Sequence, residues 1–415
     1  DINMMPFSLF FLPSWVLILS CIPFSHGFLP IHQQLNFRIL ALKEENELDP
    51  NTTSISEDDN LILCVGDALL DCIATNEARG WSVDETTTKN AWTAFPGGGA
   101  PANVATALVK LGTPSALCAC LGMDDDGDLL QSILTNTGVN TLLLQRTDKL
   151  PTRRVMVTRS IEGDREFGGF YDNRAADEFA DSLLDAASIQ VEELLLQRCQ
   201  WIVCSTLSLA FPKSKEAITQ LVEHALQQKN VKLLVDVNWR PVFWQPQHTE
   251  SHARDTILQL VQKAHVVKLT DQEAEWLFGI PDALENPTRV HNELSKNAQA
   301  VLVTAGEKGA SYSLFGCTGR VEAFHVPVVE TTGAGDAFTA GFLHALCTTI
   351  QPNRSEDKEE MDMLSQEEKA EAANDVIRFA SAVGALTCTK EGAIAAQPTL
   401  DQVESFLIHG EKVWS

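Results

Sequence analysis

This chain has few basic residues compared with acidic ones: it contains 31 lysines and arginines and 56 aspartates and glutamates, and its formal net charge is −25. General binding to nucleic acid or to an anionic membrane needs a basic face, so the composition argues against both. A small anionic ligand is still compatible with this charge, because a local positive site can lie within an acidic surface. The hydrophobic content of 44% is ordinary for a globular protein with a full core.

Cysteine and histidine spacings typical of zinc sites are also missing. The ten cysteines form no CxxC pair and lie mostly in apolar runs, so we interpret them as small buried residues in a reducing compartment. The acidic turn at residues 124–126 lacks the ligand spacing of a calcium loop, so we expect a solvated helix cap there. The chain has no Walker lysine motif, which excludes a P-loop enzyme, and no internal repeat.

The first 60 residues are typical of targeting segments. Residues 7–22 are apolar and precede small residues, which predicts a cleavable signal segment over residues 1–27. The stretch that follows carries basic residues but no acid before Glu44, which suits a transit peptide and linker over residues 28–60. We therefore expect a two-part presequence that directs the protein to a plastid, with no membrane segment in the mature form. Secretion is the alternative.

Strand–helix alternation follows from residue 61. Apolar, β-branched strands between helices predict an α/β fold with a parallel sheet covered on both faces. The predicted strands are residues 61–65, 115–121, 201–205, 232–237, 265–269, 300–304, 310–315 and 321–329. The predicted helices are residues 104–111, 128–136, 182–196, 213–229, 249–262, 337–346 and 375–387. A β-hairpin over residues 153–171 could cover a site, and the charged residues 351–370 suggest a surface loop or helix extension.

A glycine-rich stretch opens the predicted helix near the C-terminal end. Gly333 and Gly335 flank Ala334, and Asp336 follows directly. Unpaired amides and the helix dipole make such a helix start an anion site. An aspartate there would repel phosphate, but it makes sense as the base for a hydroxyl that attacks phosphorus. A plain helix start with an acidic first turn is the structural alternative.

A second glycine-rich stretch precedes another helix. Three consecutive glycines, residues 97–99, allow a backbone to approach a ligand closely, and Asn103 offers a donor and an acceptor to hydroxyl groups. Asp71 comes just past the end of the first predicted strand, where ligands bind in open α/β sheets. It could instead cap a turn.

Taken together, these stretches resemble the ribokinase/PfkB family of sugar kinases, and within it fructokinases, over residues 61–406. Residues 98–105 and 331–338 are similar to the two family signatures, and the landmarks between them occur in the family's order. The resemblance implies a ribokinase-like three-layer sandwich, with a mostly parallel central sheet and helices on both faces. It also implies a small β lid at about residues 67–93 and 153–171, through which two copies could form a homodimer.

The resemblance implies transfer of the γ-phosphoryl group of ATP to a primary hydroxyl of a sugar, most naturally fructose. Ribose, 2-keto-3-deoxygluconate or a nucleoside are alternative substrates, and a non-catalytic plastid binding protein is the alternative of another class. Asp336 would be the base, and the amides of Gly333, Ala334 and Gly335 would form the anion hole. The implied sugar-binding residues are Asp71, Gly98, Gly99, Asn103 and, in place of a displaced family arginine, Arg174.

The remaining implied residues concern ATP and its ions. The implied nucleotide site comprises Lys268, Glu273, Thr304, Gly306, Gly309, Ser381 and Gly392. Glu273 would organise Mg²⁺ through water, and Thr332 would contribute to a monovalent-cation site. Glu330 stands where the family has aspartate, which leaves activation by K⁺ open.

Overall fold

The structure is a computed structural model that describes residues 61–159, 161, 165–186, 198–228, 230–244, 249–349 and 364–410. The predicted presequence, residues 1–60, lies outside the described residues. The same holds for most of the predicted helix at residues 182–196 and for most of the charged insert.

The described strands and helices alternate along the chain. The strands are β1 (Leu61–Val65), β2 (Leu69–Ala74), β3 (Trp92–Gly98), β4 (Ser115–Gly122), β5 (Leu144–Thr147), β6 (Arg154–Arg159), β7 (Arg165–Phe170), β8 (Cys199–Ser205), β9 (Lys232–Asp236), β10 (Val266–Thr270), β11 (Ala300–Thr304), β12 (Ala310–Leu314) and β13 (Cys317–Val321). The helices are α1 (Val83–Thr88), α2 (Ala100–Lys110), α3 (Asp125–Thr137), α4 (Pro212–Leu226), α5 (Pro241–Trp244), α6 (Glu250–Val261), α7 (Asp271–Phe278), α8 (Pro287–Glu293), α9 (Ala334–Thr349), α10 (Gln366–Thr387) and α11 (Leu400–His409).

A large, mostly parallel sheet forms the centre of the fold. Its nine strands lie in the order β13-β12-β11-β10-β9-β8-β1-β4-β5. Among the described strands, those from β11 to β5 pair in parallel, and the antiparallel pairs are β11–β12 and β12–β13 at one edge, so that β12 is the reversed strand. Parallel strands need crossover connections, and the helices between them provide these crossovers.

The core lies on both faces of this sheet. In β1, the side chains of Leu61, Leu63 and Val65 pack into one apolar cluster, whereas those of Ile62 and Cys64 pack into the other. This alternation follows from the two-residue period of a strand. Helices α4, α6, α7 and α8 contribute to the first cluster, and α2, α3, α9, α10 and α11 to the second. The three-layer arrangement confirms the fold class expected from the sequence.

A second, smaller sheet stands apart from the large one. Its order is β3-β2-β6-β7, with β2 and β6 parallel and the two outer pairs antiparallel. Strands β6 and β7 are the hairpin predicted from the alternation of apolar residues, and the small sheet is the expected β lid. Strand β3 extends to Gly98, past the expected limit of residue 93.

Three successive residues fasten the lid to the large domain. Thr152 donates from its amide and hydroxyl to Asp124, both at 2.7 Å. Arg154 pairs with Asp126, with Nη2 of Arg154 2.8 Å from Oδ1 of Asp126. The expectation of a solvated acidic cap was therefore wrong in part. Asp124 does cap α3, but both carboxylates are engaged by the start of β6.

Arg153, between these two residues, is buried. Its guanidinium donates two hydrogen bonds of 2.7 Å to the carboxylate of Asp181 and one of 2.7 Å to the carbonyl of Ala176. Four aromatic rings surround it at 4.5–5.2 Å from the guanidinium carbon: Phe170, Phe179, Phe211 and Phe243. Both the charge pair and the ring faces compensate for removing this cation from water.

Two predicted elements differ from the structure. The predicted strand over residues 321–329 was wrong, because β13 ends at Val321 and residues 322–328 form a loop. Pro327 in this loop has no amide hydrogen to donate to a neighbouring strand. The described start of the predicted helix at residues 182–196 falls on a short 3-10 helix, Ala180–Leu183, and on residues 184–185 without helical structure. Most described cysteines are buried and all of them are free thiols, as expected from their apolar neighbours. Among the described residues, no helix is long and apolar enough to cross a membrane.

Candidate active site

A cleft of about 1900 Å³ lies beyond the carboxyl ends of the large sheet, the usual place for ligands in open α/β sheets. Most of the residues singled out from the sequence line it. They are Asp71, Gly99, Asn103, Lys268, Glu273, Thr304, Gly306, Gly309, Thr332, Gly333, Ala334, Gly335, Asp336 and Ser381. Residues separated by more than 300 positions in the chain thus share one cavity.

Asp336 lies in the first turn of α9 and is half-buried in this cleft. Its Oδ2 accepts a hydrogen bond of 2.8 Å from Nδ2 of Asn103, which fixes the orientation of the carboxylate. Burial raises the pKa of Asp336 to about 6, and the nearby charge of Asp236 adds to the rise. The hydrogen bond from Asn103 and the charge of Lys268 oppose it. A carboxylate with this pKa is ionised at neutral pH and is a stronger base than an exposed aspartate.

A buried ion pair lies beside Asp336. Nζ of Lys268 is 2.9 and 3.1 Å from the two carboxylate oxygens of Asp236, and both residues are buried. Burial alone would lower the pKa of Lys268, but the charges of Asp236, Glu273 and Asp336 outweigh it and raise the pKa. Lys268 therefore stays protonated and keeps one positive charge beneath the glycine-rich helix start.

The two glycines of this helix start are required for different reasons. Gly333 has φ of 77°, a backbone conformation that favours glycine, and a Cβ there would lie 2.8 Å from Cβ of Ala393. Gly335 has ordinary backbone angles, but a Cβ there would lie 3.0 Å from Nζ of Lys268. The first turn also leaves the amides of Gly335 and Asp336 without an intrahelical acceptor. Amides, helix dipole and Lys268 together make this end of the cleft suited to an anion.

The opposite wall of the cleft presents groups suited to hydroxyls. Asn103 is 2% exposed, and while its Nδ2 donates to Asp336, its Oδ1 has no hydrogen-bond partner among the described residues. Asp71 lines the same wall from β2, and a Cβ on Gly98 would lie 2.9 Å from Oδ2 of Asp71. Gly98 therefore lets the backbone lie directly against this carboxylate.

Glu273 connects two strand ends in the cleft. Its Oε2 accepts from the amide of Thr270 at 2.8 Å, closing a capping box at the start of α7. Its Oε1 accepts from the amide of Trp239 at 2.6 Å, and Arg240 lies 3.9 Å from the same oxygen. Each carboxylate oxygen already accepts one hydrogen bond and keeps a further lone pair. Glu273 can therefore accept from a water that is bound to a metal ion, but it is not free to bind the ion with both oxygens.

Glu330 clamps two loops together. Its Oε1 accepts from the hydroxyl of Thr332 at 2.6 Å, and its Oε2 accepts from the amide of Gly392 at 2.9 Å. Glu330 is 4% exposed, and its own amide donates to the carbonyl of Cys388. The longer side chain thus spans the gap between the glycine-rich loop and the loop after α10.

Three of the residues predicted for the site do not line the cleft. Gly98 lies behind Asp71, which lines the cleft. Gly392 binds Glu330, which in turn holds the cleft residue Thr332. Arg174 follows the turn Tyr171–Asn173 and lies 3.8 Å from Asp172 of that turn, so this arrangement gives it no contact with the cleft. The predicted replacement of a family arginine by Arg174 therefore has no support in the position of that side chain.

Sequence reasoning missed three charged residues of the site. Asp67 and Arg240 line the cleft, and Asp236 binds Lys268. For Asp236 a signal existed: it ends the apolar run of β9, Lys268 stands among the apolar residues of β10, and buried opposite charges pair. The strand register places Lys268 opposite Asp236.

Known proteins resemble this chain in sequence and in fold. Residues 59–400 match the pfkB family carbohydrate kinase. The chain is 32% identical over 356 residues to probable fructokinase-2 of Arabidopsis thaliana, covering 86% of this chain and 98% of that protein. It is 31% identical over 347 residues to probable fructokinase-6, chloroplastic, of the same plant, covering 84% of this chain and 82% of that protein. The crystal structure of fructokinase with bound ATP from Xylella fastidiosa superposes with a TM-score of 0.70 at 27% identity, covering 84% of this chain and 98% of that one. The family resemblance of the sequence is thereby confirmed, and the chain belongs to the pfkB family of carbohydrate kinases.

Proposed function

We propose that the protein is an ATP-dependent fructokinase that transfers the γ-phosphoryl group of ATP to a primary hydroxyl of fructose. The observation that carries this proposal is the half-buried carboxylate of Asp336, held by Asn103 at the positive end of α9 and beside Lys268. A scaffold protein has no need of a base next to an anion site. The relatives named fructokinase support fructose as the acceptor.

In this proposal, Asp336 accepts the proton of the primary hydroxyl as its oxygen attacks the γ-phosphorus. The glycine-rich stretch from Gly333 to Gly335 at the start of α9 receives the charge that develops on the phosphoryl oxygens, and Lys268 adds a fixed positive charge beneath it. The amide of Gly335 has no intrahelical acceptor and can serve directly, whereas the amide of Ala334 donates to the carbonyl of Thr331 at 3.2 Å and would have to exchange this bond for one to the phosphoryl group. Phosphoryl transfer needs mainly positioning and electrostatic stabilisation, and these residues supply both.

The substrates would occupy opposite ends of the cleft. Asp71, Gly99 and Asn103 would hold the sugar hydroxyls. The nucleotide would lie along the wall that holds Ser381 and the loop from Thr304 to Gly309. This division brings the sugar hydroxyl and the γ-phosphate together at Asp336, which lies between the two ends.

Mg²⁺ is the metal we propose for the reaction. Among the described residues, no group of three or more acidic, histidine or cysteine side chains could hold a metal ion by itself. Mg²⁺ keeps several waters and uses few protein carboxylates, so Glu273 would contact it through water. When bound, the ion would neutralise charge on the phosphates. A K⁺ site involving Thr332 is a further proposal, which a comparison of activity in K⁺ and Na⁺ salts tests.

A substrate panel tests the proposed function. ADP release should be fastest with fructose and slower with ribose, 2-keto-3-deoxygluconate and adenosine. Asp336→Asn should fold and bind ATP but lose about two to four orders of magnitude in turnover. Silence of the wild-type protein across the panel would favour the non-catalytic alternative. An Asp336→Asn variant with unchanged turnover would refute the assignment of the base.

We also propose plastid import, processing near residues 27 and 60, and dimerisation through the lid. The chloroplastic relative supports the first of these, and the outer strands β3 and β7 of the small sheet offer edges for the last. A fluorescent fusion of residues 1–60 tests import, mass spectrometry of the mature protein tests processing, and sedimentation tests the oligomeric state.

A further inference from the structure

Asp67 is a cleft residue with a hydrogen-bond partner, among the described residues, for only one of its two carboxylate oxygens. It lies two residues after the end of β1, lines the cleft, and is 1% exposed. Its Oδ1 accepts a hydrogen bond of 3.0 Å from the hydroxyl of Ser205. Its Oδ2 is buried and has no hydrogen-bond partner in the described part of the chain. An unsatisfied buried carboxylate oxygen is costly, so its presence at a cleft wall points to a ligand.

Asn103 presents a second acceptor of the same kind nearby. Its Oδ1 also lacks a partner among the residues described, since only its Nδ2 is engaged, by Asp336. Gly99 links the two positions: a Cβ on Gly99 would lie 2.6 Å from the carbonyl oxygen of Asp67, and Gly99 caps α2, which carries Asn103 one turn later. Two acceptors without donors therefore lie at the same end of the cleft.

The chemistry of these atoms defines what they bind. An ionised carboxylate and an amide oxygen only accept hydrogen bonds, so the ligand must donate. Burial raises the pKa of Asp67 to about 6, with the charge of Asp181 adding to the rise, so the group is ionised at neutral pH. A sugar supplies several hydroxyl donors and no charge, whereas a sugar acid would bring a further negative charge to a wall that already holds Asp67 and Asp71.

We propose that Asp67 is a further sugar-binding residue, whose Oδ2 accepts a hydrogen bond from one sugar hydroxyl while Oδ1 of Asn103 accepts from another. Together with Asp71, its charge selects neutral sugars over carboxylated ones. This inference rests on the proposed function as a sugar kinase and adds a specificity-determining residue to it.

The variant Asp67→Asn tests the inference, because it keeps the size of the side chain and removes its charge. The KM for fructose should rise about 10–100-fold, as expected for loss of a hydrogen bond to a charged group, while the KM for ATP stays the same. Activity with 2-keto-3-deoxygluconate relative to fructose should rise, since the repulsion is removed. Ser205→Ala is the matched control, because it removes only the partner of Oδ1. A purely structural role for Asp67 would make the two variants alike and leave the substrate ratio unchanged.

Each outcome decides the matter. A wild-type enzyme that phosphorylates fructose, with an unaltered fructose KM in Asp67→Asn, overturns the role of Asp67 and leaves the proposed function intact. If the wild-type enzyme prefers another sugar of the panel, the same comparison is made with that sugar. If calorimetry finds no binding of any sugar to the wild-type protein, both proposals fail. Asp67→Ser replaces the asparagine variant if thermal unfolding shows that the latter is not folded.

Discussion

Replacing Asp336 by asparagine should make the protein more stable at neutral pH. An aspartate in an unfolded chain has a pKa of about 3.9, whereas burial and the charge of Asp236 raise that of folded Asp336 to about 6. Between these values the folded state holds a proton that the unfolded state has released. The contribution of Asp336 to stability therefore improves as the pH falls from about 6 to about 4, and above pH 6 its charge is a constant cost.

The size of this cost follows from the shift. Two pKa units correspond to about 3 kcal/mol, which is the upper limit for the gain. Asparagine keeps an oxygen that can accept the hydrogen bond from Asn103, but it removes one of the negative charges that stabilise Lys268. We therefore expect Asp336→Asn to raise the free energy of unfolding by about 1–3 kcal/mol at pH 7.5 and by about half as much at pH 5. Urea unfolding at the two pH values measures both quantities. Loss of activity with a gain in stability is typical of a strained catalytic group.

A control separates this effect from a general relief of negative charge. Glu216→Gln on α4 also removes one negative charge, but its side chain is exposed and accepts a hydrogen bond from Gln220 of the same helix. This variant should change stability by no more than about 0.5 kcal/mol. The reasoning is refuted if Asp336→Asn is less stable than the wild-type protein at pH 7.5, or if its gain is the same at pH 5.

Three further predictions concern charged side chains of the described domain. Asp236→Asn removes a charge that raises the pKa of Asp336, so the acid limb of kcat/KM should move to lower pH; a limb that stays in place would contradict this coupling. Glu330→Gln cannot accept at both ends of its side chain, so urea unfolding should show a loss of about 1–3 kcal/mol, with a higher KM for ATP. Arg153→Met leaves the buried carboxylate of Asp181 unpaired and should cost about 3–5 kcal/mol, most of which Arg153→Met/Asp181→Leu should restore. If the double variant is as unstable as the single one, the ion pair is not the cause.

Local chemistry made much of the site predictable. The glycines Gly333 and Gly335 at a helix start predict an anion site, and Asp336 directly after them predicts a base. The structure places all three in one cleft. Helix starts were less predictable. Helix α3 begins at Asp125 and α10 at Gln366, both earlier than predicted, because their first turns are polar and caps rather than apolar periodicity define them.

Contacts between side chains that lie far apart in the sequence could not be predicted. Arg153 and Asp181 form a buried pair only because the lid connection and the 3-10 helix after it meet behind the cleft. The open acceptor of Asp67 depends on Ser205, which lies in a strand 138 positions later. Such facts require strand order and register, and neither is encoded in a local pattern.

The chain segments that connect the two sheets also determine how the lid can move. The segment Thr152–Arg154 is held by the side-chain contacts of all three of its residues, so we expect it to be rigid. The segment before β2 contains Gly66, and the segment at the end of β3 contains Gly97 to Gly99. Both lie next to Asp67, Asp71 and the start of α2. Rotation of the small sheet must therefore bend the chain at the wall that we propose binds the sugar. We therefore expect a sugar bound at this wall to limit how far the small sheet can rotate.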